Sequence, residues 1–226
     1  MIELPVRTTV TDDLARSRLT VFFRLLLATP HYVWMLLWTY SMFVLIAFQW
    51  LWVLFAGRME DDIHRYIGRW LRYHVHLYAY VFLLADPWPK PNGREEYPVD
   101  VQIDAPERQS RLTVFFRLIL AIPACAFMTA LGVVLYVIAF LGWFASLAVG
   151  RMPRGMRDLG AYCLRFQTQT YAYLVLLTPS YPSLAGSASS APLEQLSLGE
   201  EPAEPSPSEE PPDDHPREEQ PPERRY

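Results

Sequence analysis

Five side chains whose types and spacing suit anion binding follow one another along a predicted helix. Arg65, Arg69, Arg72, His76 and Tyr80 occupy positions i, i+4, i+7, i+11 and i+15, so they share one helical face. Arginine supplies paired N–H donors to phosphate oxygens, and tyrosine supplies an amphipathic wall. This spacing predicts a cationic groove for a lipid phosphate or another amphipathic anion.

Two acidic residues precede this face at helical spacing and allow a second interpretation. Asp61 and Asp62 lie four and three residues before Arg65, where they would neutralise part of the positive charge. In this alternative the face is a solvated surface near the lipid headgroups and binds no ligand.

A second copy of the segment, 93 residues later, keeps only part of the face. It retains Arg165, Gln169 and Tyr173 but has no counterpart of the first two arginines, so we expect any anion site to be asymmetric. Arg24 and Arg117, which belong to an earlier segment of each copy, complete the set of candidate lipid- or anion-binding residues.

Metal and catalytic chemistry find little support in the sequence. His74 and His76 are two residues apart, which places them about 200° apart around a helix and prevents them from sharing one ion. Cys125 and Cys163 lie in apolar stretches without ligand-like spacing and are expected to be small buried residues. The sequence has no Gly-rich phosphate loop, Gly-x-Ser-x-Gly elbow or His-Glu-x-x-His pair. We therefore predict no catalytic residue, metal or cofactor, and a protein that is not an enzyme.

The elements that must position these side chains occur twice. Residues 17–89 are repeated without a gap at 110–182, and the string Ser-Arg-Leu-Thr-Val-Phe-Phe-Arg-Leu at 17–25 recurs letter for letter at 110–118. Such a repeat marks a duplicated structural unit. We therefore predict one membrane repeat at residues 1–92 and a second at 93–184.

Each repeat begins with a short segment that is typical of a strand. In the second copy apolar Val99, Val101 and Ile103 alternate with Asp100 and Gln102, the pattern of a strand with one face in water. The corresponding segment of the first copy begins near residue 3. We expect the two strands to pair with each other and to rest on the helices, because a two-stranded ribbon is marginal alone.

A short amphipathic helix is predicted next in each repeat. Ser17 and Ser110 are placed to cap it, and Pro30 and Pro123 are placed to stop or kink it. With Arg24 on its polar stripe, such a helix would lie at the membrane surface. The alternative is continuation into one long kinked helix.

A helical hairpin follows in each repeat. Residues 31–56 and 124–149 each supply 26 residues without an acidic or permanently basic side chain, enough to cross about 30 Å of hydrocarbon. Residues 61–85 and 154–178 are polar first and apolar later. Two crossings per unit would place the identical motifs of both copies on the same side of the membrane, which favours four transmembrane helices.

The third region differs in composition from both repeats. Residues 183–226 contain nine prolines, eleven acidic residues and three arginines, too little apolar surface to offset the entropy of ordering. We predict a disordered Pro/Glu-rich tail at 185–226. Without it, residues 1–182 carry 17 basic and 13 acidic side chains, a net charge of +4, which favours contact with anionic lipids.

The repeated strings also resemble a known family. The pattern Ser-Arg-Leu-(x)-Val-Phe-Phe-Arg-Leu-(x)-Leu-Ala-(x)-Pro, followed by Gly-Arg-Met and by Leu-Arg-(x5)-Tyr-Ala-Tyr, is similar to the bacterial membrane family called domain of unknown function 4389. The resemblance covers about residues 1–184, twice over, and implies a multi-pass membrane protein. Ala124 and Glu60 depart from its pattern. The family has no assigned activity, so the resemblance implies no catalytic residue.

The predicted fold class is therefore mainly α and integral to a membrane, with two pseudo-symmetric repeats. We expect a scaffold or accessory subunit that engages a protein partner through the strands or the acidic tail. The alternative is a lipid or amphiphilic-anion binder or transporter that uses the arginine face. The predicted partners are the lipid bilayer and anionic lipid, with no nucleic acid. The expected location is a bacterial plasma membrane, with both termini in the cytoplasm.

Overall fold

The computed structural model describes residues 6–10, 16–89 and 97–185. In chain order its elements are β1 (Val6–Val10), α1 (Arg18–Ala56), α2 (Asp61–Val81), β2 (Val99–Ile103), α3 (Arg111–Phe115), α4 (Arg117–Val149) and α5 (Arg154–Leu174). The mainly helical prediction is confirmed. The predicted tail lies outside the described residues from residue 186 onward.

The amphipathic helix predicted before Pro30 is not an independent element, whereas the second repeat has a separate five-residue helix, α3, at that place. In the first repeat α1 is one helix of 39 residues that continues through Pro30. Contacts on both sides of the proline hold it together, because Arg24 and His31 are both fastened to α2. The long continuous helix, the alternative reading of the sequence, is the correct one.

The second repeat follows the same course with one interruption. Phe116 separates α3 from α4, and α4 then continues through Pro123. Ser17 and Ser110 occupy the N-cap positions of α1 and α3, as expected, but neither side chain forms a capping hydrogen bond.

Glycines end both long helices and turn the chain back. Gly57 and Gly150 have φ values of 73° and 74°, the left-handed conformation that glycine adopts without steric cost. Their N–H groups donate to the carbonyls of Val53 and Ser146. The chain can then reverse into α2 and α5 within a few residues.

The core lies around α2 and α5, which contain 21 residues each. Most of their side chains are buried, and in α5 the whole stretch from residue 163 to 170 is buried. The two helices pack on each other, α2 also packs on α1, and α5 packs closely on α4. The long helices therefore form an outer layer over these two.

The predicted pairing of the two strands is confirmed. β1 and β2 form an antiparallel sheet in which Val6 faces Ile103 and Val10 faces Val99. The sheet rests on helices, as expected, but each strand packs on a helix of the other repeat, since β2 lies on α2 and β1 lies on α5. The two repeats are thus interlocked through their strands.

The predicted wet face of β2 is wrong at one position. Asp100 is buried, although it lies on the side opposite to Val99 and Val101. Arg72 and His76 of α2 contact its carboxylate, and a paired and hydrogen-bonded carboxylate can remain inside a protein.

The two long helices run antiparallel to each other. Trp50 Nε1 donates to the Val114 carbonyl at 3.1 Å, and its counterpart Trp143 donates to the Val21 carbonyl at 3.0 Å. The repeated surface motif at 17–25 therefore lies at the opposite end of the helix pair from its copy at 110–118. The expectation that the two repeats have the same orientation is therefore wrong.

Two helices of the described residues, α1 and α4, are long and apolar enough to cross a membrane. This differs from the four crossings expected from the repeat. The difference arises because α2 and α5 keep charged side chains along their first halves and bury their apolar residues inside the protein.

Candidate functional site

The candidate arginine Arg24 is part of the interior rather than of a surface groove. It is 2 % exposed, and its Nη1 donates to the carbonyls of Tyr80 (2.7 Å) and Ala85 (3.3 Å). Its Nη2 donates to Asp86 Oδ1 at 2.6 Å. The guanidinium carbon lies 4.5 Å from the centre of the Tyr80 ring, a cation–π distance. These contacts fasten α1 to the end of α2.

Arg117 repeats this arrangement in the second half of the chain. It is 1 % exposed, and it donates to the carbonyls of Tyr173 (2.7 Å) and Thr178 (3.1 Å). Its guanidinium carbon lies 4.3 Å from the Tyr173 ring centre. The position equivalent to Asp86 is Pro179, so no carboxylate neutralises this arginine from there.

Arg72 and His76 form a buried polar cluster under β2. Arg72 donates to the Val101 carbonyl at 3.1 Å and lies 3.3 Å from Asp100 Oδ1. His76 Nε2 lies 3.2 Å from the same oxygen, and its ring stacks on Tyr97 with centroids 4.3 Å apart. Burial lowers the pKa of His76, and the hydrogen bond to Asp100 opposes that shift. The cluster attaches the sheet to α2.

The first two arginines of the predicted face lie in solvent. Arg65 pairs with the exposed Asp62 one turn earlier, which is the neutralisation that the solvated interpretation expects. Arg69 is exposed and has no ion-pair or hydrogen-bond partner among the described residues. Exposed pairs of this kind contribute little stability.

Arg165 is buried in a different place from the other candidates. Its guanidinium carbon lies 5.1 Å from the Tyr162 ring centre, and its Nε and one Nη have no hydrogen-bond partner among the described residues. The neighbouring Gln169 accepts a hydrogen bond from the Ser183 N–H at 3.1 Å. The seven candidate residues are thus divided among two interior attachments, a cluster under the sheet, a solvated helix face and α5, so the structure does not join them into one groove.

A further pair of attachments went unnoticed in the sequence. Arg16 Nη2 donates to the Leu83 carbonyl at 2.9 Å, and Gln109, its counterpart, donates from Nε2 to the Leu176 carbonyl at 2.7 Å. Both leucines have positive φ values, 63° and 65°. The sequence did contain a signal for these attachments, because Arg16 and Gln109 stand at equivalent positions immediately before the repeated motif and both have long side chains with N–H donors.

An apolar cavity, which the sequence did not reveal, lies between α1, α2 and α5 and also touches the start of α4. Its volume is about 540 Å³, within the range of about 300–1,000 Å³ typical of ligand pockets. The lining is made mainly of aromatic, methionine and aliphatic side chains, namely Tyr32, Met35, Leu36, Thr39, Met42, Phe43, Ile46, Trp70, His74, Tyr78, Leu118, Tyr171, Leu174 and Val175.

His74 is the most polar group in this cavity wall. Its ring stacks on Tyr78 at 4.1 Å and meets Tyr171 edge-on at 4.8 Å. Its Nδ1 is buried without a hydrogen-bond partner among the described residues. Burial lowers its pKa to about 4, so the imidazole is neutral at physiological pH. The described residues contain no group of His, Cys, Asp and Glu side chains that would hold a metal ion.

Comparison with known families matches this duplicated arrangement. The family model described as domain of unknown function (DUF4389) matches residues 18–93 and again residues 111–185. The chain belongs to the DUF4389 family. The resemblance inferred from the repeated motifs is therefore confirmed, including its occurrence twice in tandem. No curated protein and no solved structure is significantly similar to the chain.

The two DUF4389 segments share the attachments but differ at the cavity. Trp70 and His74 of the first segment correspond to Cys163 and Gln167 of the second. In the second segment Gly132 allows α4 to approach α5, and a β-carbon there would lie 3.4 Å from Gln167 Nε2. The cavity is therefore lined mainly by the first segment, where α1 packs less closely on α2, and residues of α4 and α5 complete its wall.

Proposed function

We propose that this DUF4389 protein is a monotopic membrane protein that serves as a scaffold or accessory subunit of a membrane complex. The observation that carries the proposal is the length of apolar surface on the long helices. Large apolar side chains are exposed along α1 from Leu19 (70 %) to Phe55 (75 %), a distance of about 54 Å at 1.5 Å per residue. On α3 and α4 a similar surface extends from Leu112 to Val149.

This length exceeds what a crossing helix can bury. The hydrocarbon layer is about 30 Å thick, so an apolar surface of about 54 Å would fit across it only at a tilt of about 56°, beyond the usual limit of about 40°. A helix that lies along the membrane plane buries the whole surface in one leaflet. The in-plane orientation therefore matches the exposed surface better than a crossing does.

The charges on α2 support the same orientation. Tyr66 Oη lies 3.2 Å from Ser41 Oγ, so the first half of α2 runs beside the middle of α1. Arg65 and Arg69 are exposed at this level. In an upright protein they would lie near the bilayer centre, at a cost of about 2.5–3.5 kcal/mol each. In the in-plane orientation they face water.

The proposed protein thus has a lipid-facing layer, α1 with α3 and α4, and a water-facing layer, α2 and α5 with the sheet. Exposed arginines lie near the ends of the long helices, namely Arg58, Arg108, Arg111, Arg151 and Arg154. Basic side chains at this level favour an anionic, cytoplasmic leaflet. We place the water-facing layer and both termini in the cytoplasm on this basis.

The internal hydrogen bonds of the arginines support the scaffold role. Arg24 and Arg117 donate hydrogen bonds to backbone carbonyls of the interior, and Arg72 donates to a carbonyl of β2. The surfaces left for a protein partner are the water-facing layer and the acidic tail beyond residue 186. The tail is rich in prolines and acidic residues, a composition typical of segments that bind partner proteins.

Depth measurements along α1 test the membrane orientation. Nitroxide labels at Leu26→Cys, Leu37→Cys and Phe48→Cys, in a background with both native cysteines replaced, occupy one helical face at intervals of about 16 Å. The in-plane helix predicts equal accessibility to oxygen and to a water-soluble quencher at all three sites. A central label much deeper than the outer two would contradict the proposal.

Crosslinking in native membranes tests the scaffold role. We expect a stoichiometric partner protein attached to the tail, and loss of that partner when the chain ends at Gly186. A variant that keeps the tail length but replaces its acidic residues with Gln or Asn controls for charge. Recovery of no stoichiometric partner from the intact chain would contradict the role.

A further inference from the structure

We propose that the cavity between α1, α2 and α5 holds one ester-linked acyl chain of a membrane lipid. This inference rests on the proposed membrane orientation, because the chain would enter from the lipid leaflet. No assignment from sequence pointed to this site, since the predicted lipid contacts were arginines elsewhere.

The position of the opening connects the cavity with the lipid-facing layer. Leu36, Phe43 and Leu118 line the cavity, and all three are also exposed on the long helices. The two tryptophan hydrogen bonds fasten α1 to α3 near one end and to α4 near the other, and the cavity lies along α1 between these attachments. An acyl chain of the surrounding leaflet therefore needs no polar passage to enter.

The shape of the cavity fits an extended chain. Along α1 its lining extends from Tyr32 to Ile46, a distance of about 21 Å at 1.5 Å per residue. Met35 and Met42 lie on the buried side of this stretch, and methionine adapts its shape to irregular apolar ligands. Because its volume of about 540 Å³ extends over such a length, the cavity is a narrow trough, and it is called the trough below.

The chemistry of the wall selects a ligand without a charge. None of the described lining residues is an Asp, Glu, Lys or Arg, so a free carboxylate would enter the trough unpaired at high cost. Thr39 is already satisfied, since its hydroxyl donates to the Met35 carbonyl and accepts from Trp70 Nε1. Among the described lining residues, His74 Nδ1 is the buried side-chain polar atom left without a hydrogen-bond partner. A neutral ester near His74 can complete its hydrogen bonding.

The tyrosine hydroxyls around His74 support this placement of the ester. Burial raises the pKa of Tyr78, and the nearby phenols of Tyr171, Tyr32 and Tyr136 raise it further. Tyr78, Tyr171 and Tyr32 line the cavity, and the rings of Tyr78 and Tyr171 contact His74. Uncharged donors of this kind suit ester carbonyls.

Photolabelling distinguishes occupancy of the trough from general contact with lipid. The full chain is reconstituted in phosphatidylcholine vesicles that contain a phosphatidylcholine with a diazirine in the middle of one acyl chain, then irradiated and mapped by mass spectrometry. We expect adducts on α2 between Trp70 and Tyr78, a segment whose side chains at 70 and 74 are about 94 % buried.

A matched pair of substitutions on α1 tests the route. Leu36 lines the trough and Leu37 does not, while both are similarly exposed, at 56 % and 61 %. Leu36→Trp should reduce α2 labelling at least fivefold, and Leu37→Trp should leave it within twofold. Labelling of α2 that is equal in the two variants would overturn the proposal.

A comparison of two labelled ligands tests whether the trough prefers an esterified acyl chain to a free fatty acid. A free fatty acid with the same diazirine should label α2 at least fivefold less than the phospholipid at neutral pH. His74→Phe should lower phospholipid labelling, whereas His74→Gln, which keeps a donor and an acceptor, should retain most of it. Equal or stronger labelling by the free acid would overturn the ester assignment.

The outcomes separate this inference from the proposed orientation. Labels on the outer faces of α1 and α4 without labels on α2 would overturn the acyl-chain site and leave the membrane orientation intact. An absence of labels from both long helices would overturn the orientation, and the acyl-chain site with it.

Discussion

At the scale of single residues, arginines that resemble lipid-binding groups hold the protein together. Arg24 and Arg117 are nearly completely buried, and each bridges from a long helix to backbone carbonyls at the end of the following helix. The carbonyls of Tyr80 and Tyr173 each accept a 3.2 Å hydrogen bond from a backbone N–H, of Leu83 and Leu176, and a guanidinium supplies several further donors at once. These arginines therefore act as internal attachments.

Removal of either attachment should destabilise the protein without altering lipid preference. Arg117→Gln leaves the carbonyls of Tyr173 and Thr178 poorly satisfied, so we expect a loss of about 3 kcal/mol in the free energy of unfolding. Arg24→Gln should act in the same direction. Denaturant unfolding in mild detergent provides the measurement.

Arg69→Gln is the matched control for these substitutions. Arg69 is exposed and unpaired among the described residues, so its replacement should change stability by no more than about 0.5 kcal/mol. If Arg117→Gln kept its stability and lost affinity for anionic lipid, Arg117 would be a ligand-binding residue instead.

Acidification should weaken the fold through the histidines of α2. Burial lowers the pKa of His74 from 6.5 to about 4, so the unfolded chain binds a proton that the folded chain does not between these values. Stability is therefore full above pH 6.5 and decreases as the pH falls toward 4. We expect a loss of about 1 kcal/mol from this residue at pH 5.5.

His74→Gln isolates this contribution, because Gln167 occupies the equivalent position in the second repeat. The variant should show a shallower decrease of melting temperature between pH 7 and pH 5. A residual decrease should persist, since burial also lowers the pKa values of His64 and His76. A variant with an unchanged pH dependence would show that His74 does not titrate in this manner.

Spacing alone could identify the residues but not their surroundings. Helical periodicity correctly placed Arg72 and His76 on one face of α2, yet Asp100 covers that face from a strand 24 residues further along. Likewise, Arg24 finds its carbonyl partner 56 residues away. Such non-local partners have no local signature, so burial of these charges was not predictable.

At the scale of elements, the long helices are defined by where they end. Gly57 and Gly150 end α1 and α4 in the left-handed conformation, and this feature was visible as a repeated Gly-Arg-Met string. The prolines were misleading, because tertiary contacts on both sides of Pro30 override its local tendency to end a helix. The sheet was predictable as a pair, while its exchange between repeats was not.

Alanine in place of the glycine that ends α4 should lower the stability of the protein. Alanine in place of a second glycine, in the first turn of α5, should raise it. Gly150→Ala places a side chain at a φ of 74°, which should lower stability by about 1–2 kcal/mol. Gly155 lies in the first turn of α5 with open space around it, so Gly155→Ala should stabilise by up to about 1 kcal/mol. Thermal unfolding of both variants checks the difference, and equal effects would contradict this account of the cap.

At the scale of the whole molecule, the antiparallel repeats divide the surface into two unlike sides. One side carries continuous apolar surface on α1 and α4, and the other carries α2, α5 and the interlocked strands. The duplication predicted the elements of each half but not their relative direction. That direction depends on contacts between repeats, such as the one from Trp50 to Val114, which a repeat pattern cannot encode.

Sidedness labelling of the ends of α1 tests the central claim most directly. Ser17→Cys and Glu60→Cys place single thiols beyond the two ends of the helix, in a background without Cys125 and Cys163. A membrane-impermeant maleimide is applied to sealed right-side-out and inverted membrane vesicles. The monotopic protein predicts that both thiols react from the same side, in inverted vesicles only. Reaction of one thiol from each side would show that α1 crosses the membrane and would contradict the account.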